Sequence, residues 1–438
     1  MMLRAVKTNV FIPGKNWKLS LAELFSYLEL RRGKFEVKAV SREFFIVDIE
    51  DNSEAIAIAD LGGVIKIGSV NEKFLTDCLR KAFLQKNKEA KAQVENEIKS
   101  SPSLGKMIEK ASSKYFFGVS VYCADEVLRP YCKAIQRFIG SVIKRELAAL
   151  GIKSRFMGFS KNRNYPQLTH VEVLKKNLVE NNAEVLVCIG KERTWLAATI
   201  AVHDPFEFQK RDIGKPYQRK IFAIPPRLAR IMVNLSSCAL GKTLLDPFCG
   251  VGTILLEALL LNAKVIGMDI NPWCVKAAVE NLDWLKREYG LKEAIYEVLE
   301  GDALRLSRKI LQEVDSIATE PDLGPALRHV PTTPYACKLV QRLEPLYHGF
   351  LEESFKVLGK NGRLALVTPF LKTRSGNPVT MDIGKKAAEI GFKRVYFFKK
   401  EYFAMEIRLR QESLIGMASF VDVEERHKIG REIHVFQK

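Results

Sequence analysis

Short segments with apolar runs of at most five residues alternate with longer stretches whose apolar positions recur every three or four residues. From residue 242 the order is regular. The run TLLD is followed by a glycine turn, the apolar segment ILLEALLL, then KVIGMD. Asn271 and Pro272 cap and open a helix with Val275, Val279, Leu282 and Leu285 on one face. Strands follow at AIYEVLEGDA, VDSIATE and GRLALVT, separated by the helix LEPLYHGFLEESFKVL, and RVYFFKKEYF with REIHVFQK closes the sheet as an antiparallel hairpin. Strand–helix alternation of this kind predicts an α/β, doubly wound sheet, here with an antiparallel last strand. The first half carries shorter strands (KFEVKAV, FFIVDIE, LGGVIKIG) and a helix near 20–32, then a charged helical stretch over 71–112 that SSPSLG breaks. A second α/β segment runs from KYFFGVSVY to WLAATIAVHD. Between the halves, Pro205, Pro216, Pro225 and Pro226 predict a connector that is mostly non-helical until Arg227.

The stretch Lys242–Asp269 carries the most chemistry. Gly250 and Gly252 permit a tight turn and close approach to a ligand, and Asp269 stands nineteen residues after Gly250, where an acid grips a ribose diol. A dinucleotide fingerprint needs a third glycine at 255, where this chain has Leu255. Asp246, just before the turn, would repel a pyrophosphate. S-adenosylmethionine has no phosphate and carries a cationic sulfonium and ammonium, so methyl transfer is favoured over hydride transfer. Four successive strands end in an acid: Asp246, Asp269, Asp302 and Glu320. The expected roles are the methionine end for Asp246 with Phe248, Gly250 and Gly252, the ribose for Asp269, and the adenine amine for Asp302. Thr253, Ile270 and Ala303 complete the expected cofactor set. Glu320-Pro321 would hold an acceptor amine in line with the methyl, catalysis being mainly positioning; the alternative is a Pro/Gly-rich loop covering the cofactor.

The 438 residues, 47% of them hydrophobic, suffice for two or three domains, and the formal charge of +18 points to a polyanionic partner or to a Lys-rich solvated surface. Lys81, Lys86, Lys88 and Lys91 read most simply as such a surface. Eight scattered cysteines show no zinc spacing, so reduced thiols and no metal are expected, Cys249 packing beneath the cofactor rather than acting as a nucleophile. With no apolar leader or spanning segment, the expectation is a soluble, cytoplasmic protein without a membrane partner.

The series DPFCGVGT, GMD and GDA, joined to the upstream RD-x-GKP and PPRLARIMVNLS, resembles THUMP-domain RNA methyltransferases. It is most similar to the archaeal group that methylates the exocyclic amine of a tRNA guanosine. The resemblance implies a Rossmann-like class I methyltransferase domain over 221–438, after an N-terminal α/β domain (1–70), a THUMP domain (71–205) and a connector (206–236). It implies tRNA as partner, held by Arg155, Lys161, Arg163 and Tyr165 of the THUMP-like run; Arg211, Lys215 and Arg219 of the connector would touch RNA or tie the domains together. The family's catalytic tetrad is Asp/Asn-Pro-Pro-aromatic, and the matching site here reads Glu320-Pro321-Asp322-Leu323. The second proline and the stacking aromatic are absent; Tyr335, Phe370 or Tyr402 could supply stacking from elsewhere, each reading more simply as a core or rim aromatic. Open alternatives are another RNA nitrogen, a tRNA-binding protein without catalysis, and a DNA amino-methyltransferase.

Overall fold

The computed structural model describes residues 6–31, 33–50, 56–111, 115–158, 165–219, 223–238 and 240–438. Two sheets organise them. The first is built from β1 (Val6–Pro13), β2 (Phe35–Val40), β3 (Phe45–Glu50), β4 (Val64–Leu75), β5 (Tyr115–Cys123), β6 (Ser154–Met157), β7 (Glu184–Ile189) and β8 (Arg193–Val202), in the order β2-β3-β1-β4-β8-β7-β5-β6. Only β5 runs parallel to its neighbours β6 and β7. An expected boundary at 70/71 falls inside β4, which pairs with β1 on one side and β8 on the other. The charged stretch after it is three helices, Thr76–Phe83, Lys88–Lys99 and Pro102–Lys110. The predicted breaker SSPSLG starts the third of them. Ser101 caps it and Pro102 occupies the first turn, where a missing N–H costs nothing.

The second sheet contains β9 (Thr243–Asp246), β10 (Lys264–Asp269), β11 (Tyr296–Glu300), β12 (Val314–Thr319), β13 (Leu358–Leu371), β14 (Val379–Thr380), β15 (Lys393–Arg394), β16 (Ser419–Asp422) and β17 (Ile429–Gln437), with the main order β11-β10-β9-β12-β13-β17-β15. Strands β9 to β13 are mutually parallel, and β17 runs antiparallel to β13. The order reverses between β9 and β12, so the crevice at their carboxyl ends is where such a sheet takes a ligand. The expected terminal hairpin forms only in part. Lys393–Arg394 pairs with β17, but the next residues leave the sheet, Ala404 N–H donating to Val37 O, and the hairpin partner of β17 is β16.

The connector also differs from expectation. Pro205 opens the helix Pro205–Ile213, capped by the Asp204 side chain on Phe206 N–H. A proline at the first helical position is compatible with the helix it appeared to forbid. The helix Pro226–Leu235 begins where expected.

One apolar core joins both halves: Phe11, Leu24 and Phe25 from the first pack with Leu228, Met232, Leu255, Phe398 and Phe403 from the second. Polar contacts set the register. The buried Glu23 carboxylate accepts from Gly62 N, Gly63 N and Asn234 Nδ2, each at 2.7 Å. A Cβ on Gly62 would stand 2.1 Å from Arg227 O, so the LGG turn must be bare for the helix Pro226–Leu235 to approach.

Candidate active site

The glycine turn after β9 takes the conformation its residues allow. Gly250 (φ +52°) and Gly252 (φ +85°) are both left-handed, and Gly252 precedes the helix Thr253–Leu260. Asp269, ending β10, accepts from Gly250 N at 2.9 Å and from Asn271 N at 2.9 Å, which ties the turn to the second strand end. Cys249 is buried and donates its N–H to Met268 O at 2.9 Å, packing under the turn. Asp302 caps the short turn Ala303–Arg305 through Leu304 N at 2.9 Å, with Ala303 buried behind it, while Ile270 is 70% exposed on the rim.

A pocket is lined by Asp246, Phe248, Gly250, Thr253, Glu320, Arg219 and neighbouring backbone. It brings together the first and fourth strand-end acids. Asp246 is fully buried, accepting from Thr319 Oγ1 at 2.7 Å and Phe248 N at 3.2 Å, and it makes no ion pair among the described residues. Burial pushes its carboxyl up to about 7, the hydrogen bonds of Thr319 and Phe248 opposing and the nearby Asp269 and Glu320 adding to the rise. A buried acid without a counter-charge suits a cationic ligand and repels a phosphate. The donor set therefore fits S-adenosylmethionine: Asp246 for the cationic methionine end, Asp269 for the ribose.

Glu320 is not a free carboxylate. Arg431 of β17 grips it from both sides of its guanidinium fork, Nε to Oε2 at 2.5 Å and Nη2 to Oε1 at 3.1 Å. Pro321 follows, buried, then Asp322, whose carbonyl accepts from the buried Tyr347 hydroxyl at 3.0 Å. Leu323 is buried in the core and offers no face to a base. Arg431 carried no signal in the sequence, since 111 residues separate it from Glu320 and nothing local marks it.

Of the substitutes for the missing aromatic, Tyr402 is excluded. Its hydroxyl binds Glu29 and its ring packs on Phe25 and Phe35, in the join between the halves. Tyr335 is half exposed at the start of the helix Thr333–Val357, and Phe370 lies near the carboxyl end of β13.

Among the expected RNA contacts, Arg155 is exposed on the edge strand β6, and Tyr165 is 72% exposed. Lys161 and Arg163 lie outside the described residues. Of the two roles expected of Arg211 and Lys215, contact with RNA is corrected and tying the connector to the catalytic half is what their contacts fit. Arg211 is only 4% exposed and pairs with the buried Glu257 (Nε to Oε1 2.6 Å), which also holds Arg230 (2.8 Å). Lys215 is 3% exposed and donates to Thr253 Oγ1 at 3.3 Å, bracing the helix after the glycine turn. Neither can reach a phosphate. Arg219 is exposed, and its Nη1 stands 3.9 Å from where a Gly250 Cβ would lie, over the pocket.

Comparison with known proteins agrees with this geometry. The model of the UPF0020, RMKL-like, methyltransferase domain family matches residues 217–375, and a DNA methylase model matches 82–280, a range straddling both sheets. A tRNA (guanine(10)-N2)-dimethyltransferase of Methanothermobacter thermautotrophicus is 33% identical over 196 residues, 41% of this chain and 53% of that protein. Its counterpart from Pyrococcus abyssi is 33% identical over 244 residues, 55% of this chain and 67% of that protein. The chain thus spans about half to two thirds of these curated relatives. The crystal structure of TrmN from Thermus thermophilus matches 99% of this chain and 100% of that one, with a TM-score of 0.51 and 18% identity, a likeness of fold. The chain belongs to the family of Rossmann-like class I methyltransferases that includes the tRNA (guanine(10)-N2)-dimethyltransferases.

Proposed function

We propose that this protein transfers a methyl group from S-adenosylmethionine to the exocyclic amine of a guanosine in tRNA. The observation that carries the reading is the buried, uncompensated Asp246 together with Glu320 in one pocket at the switch point of the sheet. The names of the archaeal relatives supply the substrate class. Bound at this turn, the cofactor supplies an electrophilic methyl on a sulfonium cation. Asp246 offsets the cationic methionine end, and Asp269 presents its carboxylate to the ribose. Glu320 accepts an N–H of the amine and fixes it in line with the methyl, while Pro321 stiffens the backbone behind it. The amine's surplus proton leaves to Glu320 or to water.

The first sheet as a whole serves as the tRNA-holding unit, since β4 spans the expected 70/71 boundary, and the connector over 206–236 joins it to the catalytic domain over 221–438. Its outer strand β6 carries exposed Arg155, with exposed Lys153 just before it, and Tyr165 is exposed as an aromatic for stacking. Arg219 joins that surface at the pocket mouth. No described helix is long and apolar enough to cross a membrane; the cytoplasmic place proposed for the protein rests on its tRNA substrate. Incubation with labelled S-adenosylmethionine and bulk tRNA, then nucleoside mass spectrometry, tests the reading: label in N2-methylated guanosine supports it, and Glu320→Ala must lower turnover.

A further inference from the structure

The family tetrad begins with Asp or Asn, and Glu320 adds one methylene. The longer side chain ends against Arg431, near the start of β17, which begins at the carboxyl end of the parallel sheet and runs antiparallel away from it. Arg431 is 9% exposed, lies opposite Pro369 on β13 and Asp422 on β16, and its Nη2 also donates to Ala223 O at 3.4 Å. The guanidinium is thereby fixed before any substrate arrives. A carboxylate offers about four lone-pair sites, of which a bidentate fork uses two. Among the described residues no other group donates a hydrogen bond to either oxygen.

The geometry points to Arg431 as a positioning residue that clamps the Glu320 carboxylate in one orientation and compensates its charge, leaving the outward lone pairs to accept the N–H of the acceptor amine. The pair then presents what a neutral Asn presents in related sites: an oxygen acceptor without net charge. This role rests on the amine-methylation reading above. Burial pushes the Glu320 carboxyl above the usual carboxylate range, and Arg431 opposes that rise. The other charged or titratable groups facing it are Asp422 of β16, Asp246 at the end of β9, Tyr347 of the helix Thr333–Val357, and Arg219 across the pocket. Without Arg431, burial and the two aspartates act unopposed except by Arg219. Glu320 would hold its proton to higher pH and lose an acceptor site.

The test is the pH dependence of single-turnover methyl transfer to tRNA in the wild type, Arg431→Gln, Arg431→Lys, Glu320→Gln and the Glu320→Gln/Arg431→Gln double variant. Arg431→Gln is expected to move the acidic limb upward by about one pH unit, a tenfold loss on that limb. Cofactor affinity by calorimetry should stay within about twofold, since the guanidinium makes no proposed contact there. Arg431→Lys keeps the charge but not the fork, so its limb stays near that of the wild type while the plateau rate falls. On the Glu320→Gln background, losing Arg431 should cost no further rate. If Arg431→Gln does not fold, an infrared titration of the intact protein decides. The carboxylic-acid band absent from Glu320→Gln should appear only below the acidic limb. A Glu320 that stays protonated where the enzyme is active, an unmoved limb, or rate losses that multiply in the double variant overturns the role of Arg431. A wild-type chain that methylates no tRNA overturns this role together with the parent reading.

Discussion

If Asp246 is the partner of the cofactor's cationic end, cofactor affinity must depend on its ionisation. In the free protein burial pushes its carboxyl up to about 7. A bound cation restores the missing counter-charge and returns the group toward an ordinary carboxylate value of about 3.9. At pH 6 roughly ten of eleven free molecules then carry a proton that binding must expel, and at pH 7.5 about one in four. Affinity should weaken about eightfold between pH 7.5 and pH 6, and about half a proton should be released per cofactor bound at pH 7. Calorimetry in two buffers of different ionisation enthalpy reads both quantities. Asp246→Asn keeps the acceptor for Thr319 but not the charge. It should bind about ten- to a hundredfold more weakly at pH 7.5, the loss of a charge-assisted contact, and without this pH dependence. The variant retains any titration of the ligand, so it isolates the carboxylate. A wild-type affinity that is flat over this range, with no proton released, refutes the assignment.

The same group makes a stability prediction of opposite sense. Its folded-state value lies above the unfolded one, so its contribution is fully present below about pH 3.9 and is lost as pH rises through about 7, by at most about 4 kcal/mol. Ligand-free Asp246→Asn should therefore melt above the wild type at pH 8, read by scanning calorimetry. Glu257→Ala leaves Arg211 and Arg230 buried without their carboxylate and should cost about 3–5 kcal/mol in urea unfolding. Gly250→Ala forces a Cβ onto φ +52°, costing about 1 kcal/mol, and should weaken cofactor binding more than it lowers the melting temperature. Arg155→Ala should weaken tRNA binding in filter assays and reduce its log–log salt slope by about 0.7–0.9, with cofactor affinity unchanged.

The catalytic half was legible because its signals are local. A strand, a left-handed glycine turn, an apolar helix and an acid at the next strand end fall within twenty-eight residues, Lys242–Asp269. Parallel order follows from such repeats, and the pocket joins acids that each close a strand. What escaped depends on distant partners. Arg211 and Lys215 read as basic connector residues, and only the fold shows Glu257 beneath one and Thr253 beside the other. Arg431 sits in an unremarkable strand, 111 residues from the carboxylate it holds. Pro102 and Pro205 were misread for another reason: a proline that ends one helix is equally suited to the first turn of the next. The register of β4 across two groups of strands also lay beyond reach, because pairing partners are not encoded in local periodicity.

The most direct measurement is nucleoside mass spectrometry of tRNA after single-turnover exposure to isotopically labelled S-adenosylmethionine and the intact chain. The predicted result is label in N2-methylguanosine or its dimethyl form, abolished in Asp269→Ala and strongly reduced in Glu320→Ala. Label confined to another nucleoside, or no label while calorimetry shows the cofactor bound, contradicts the account.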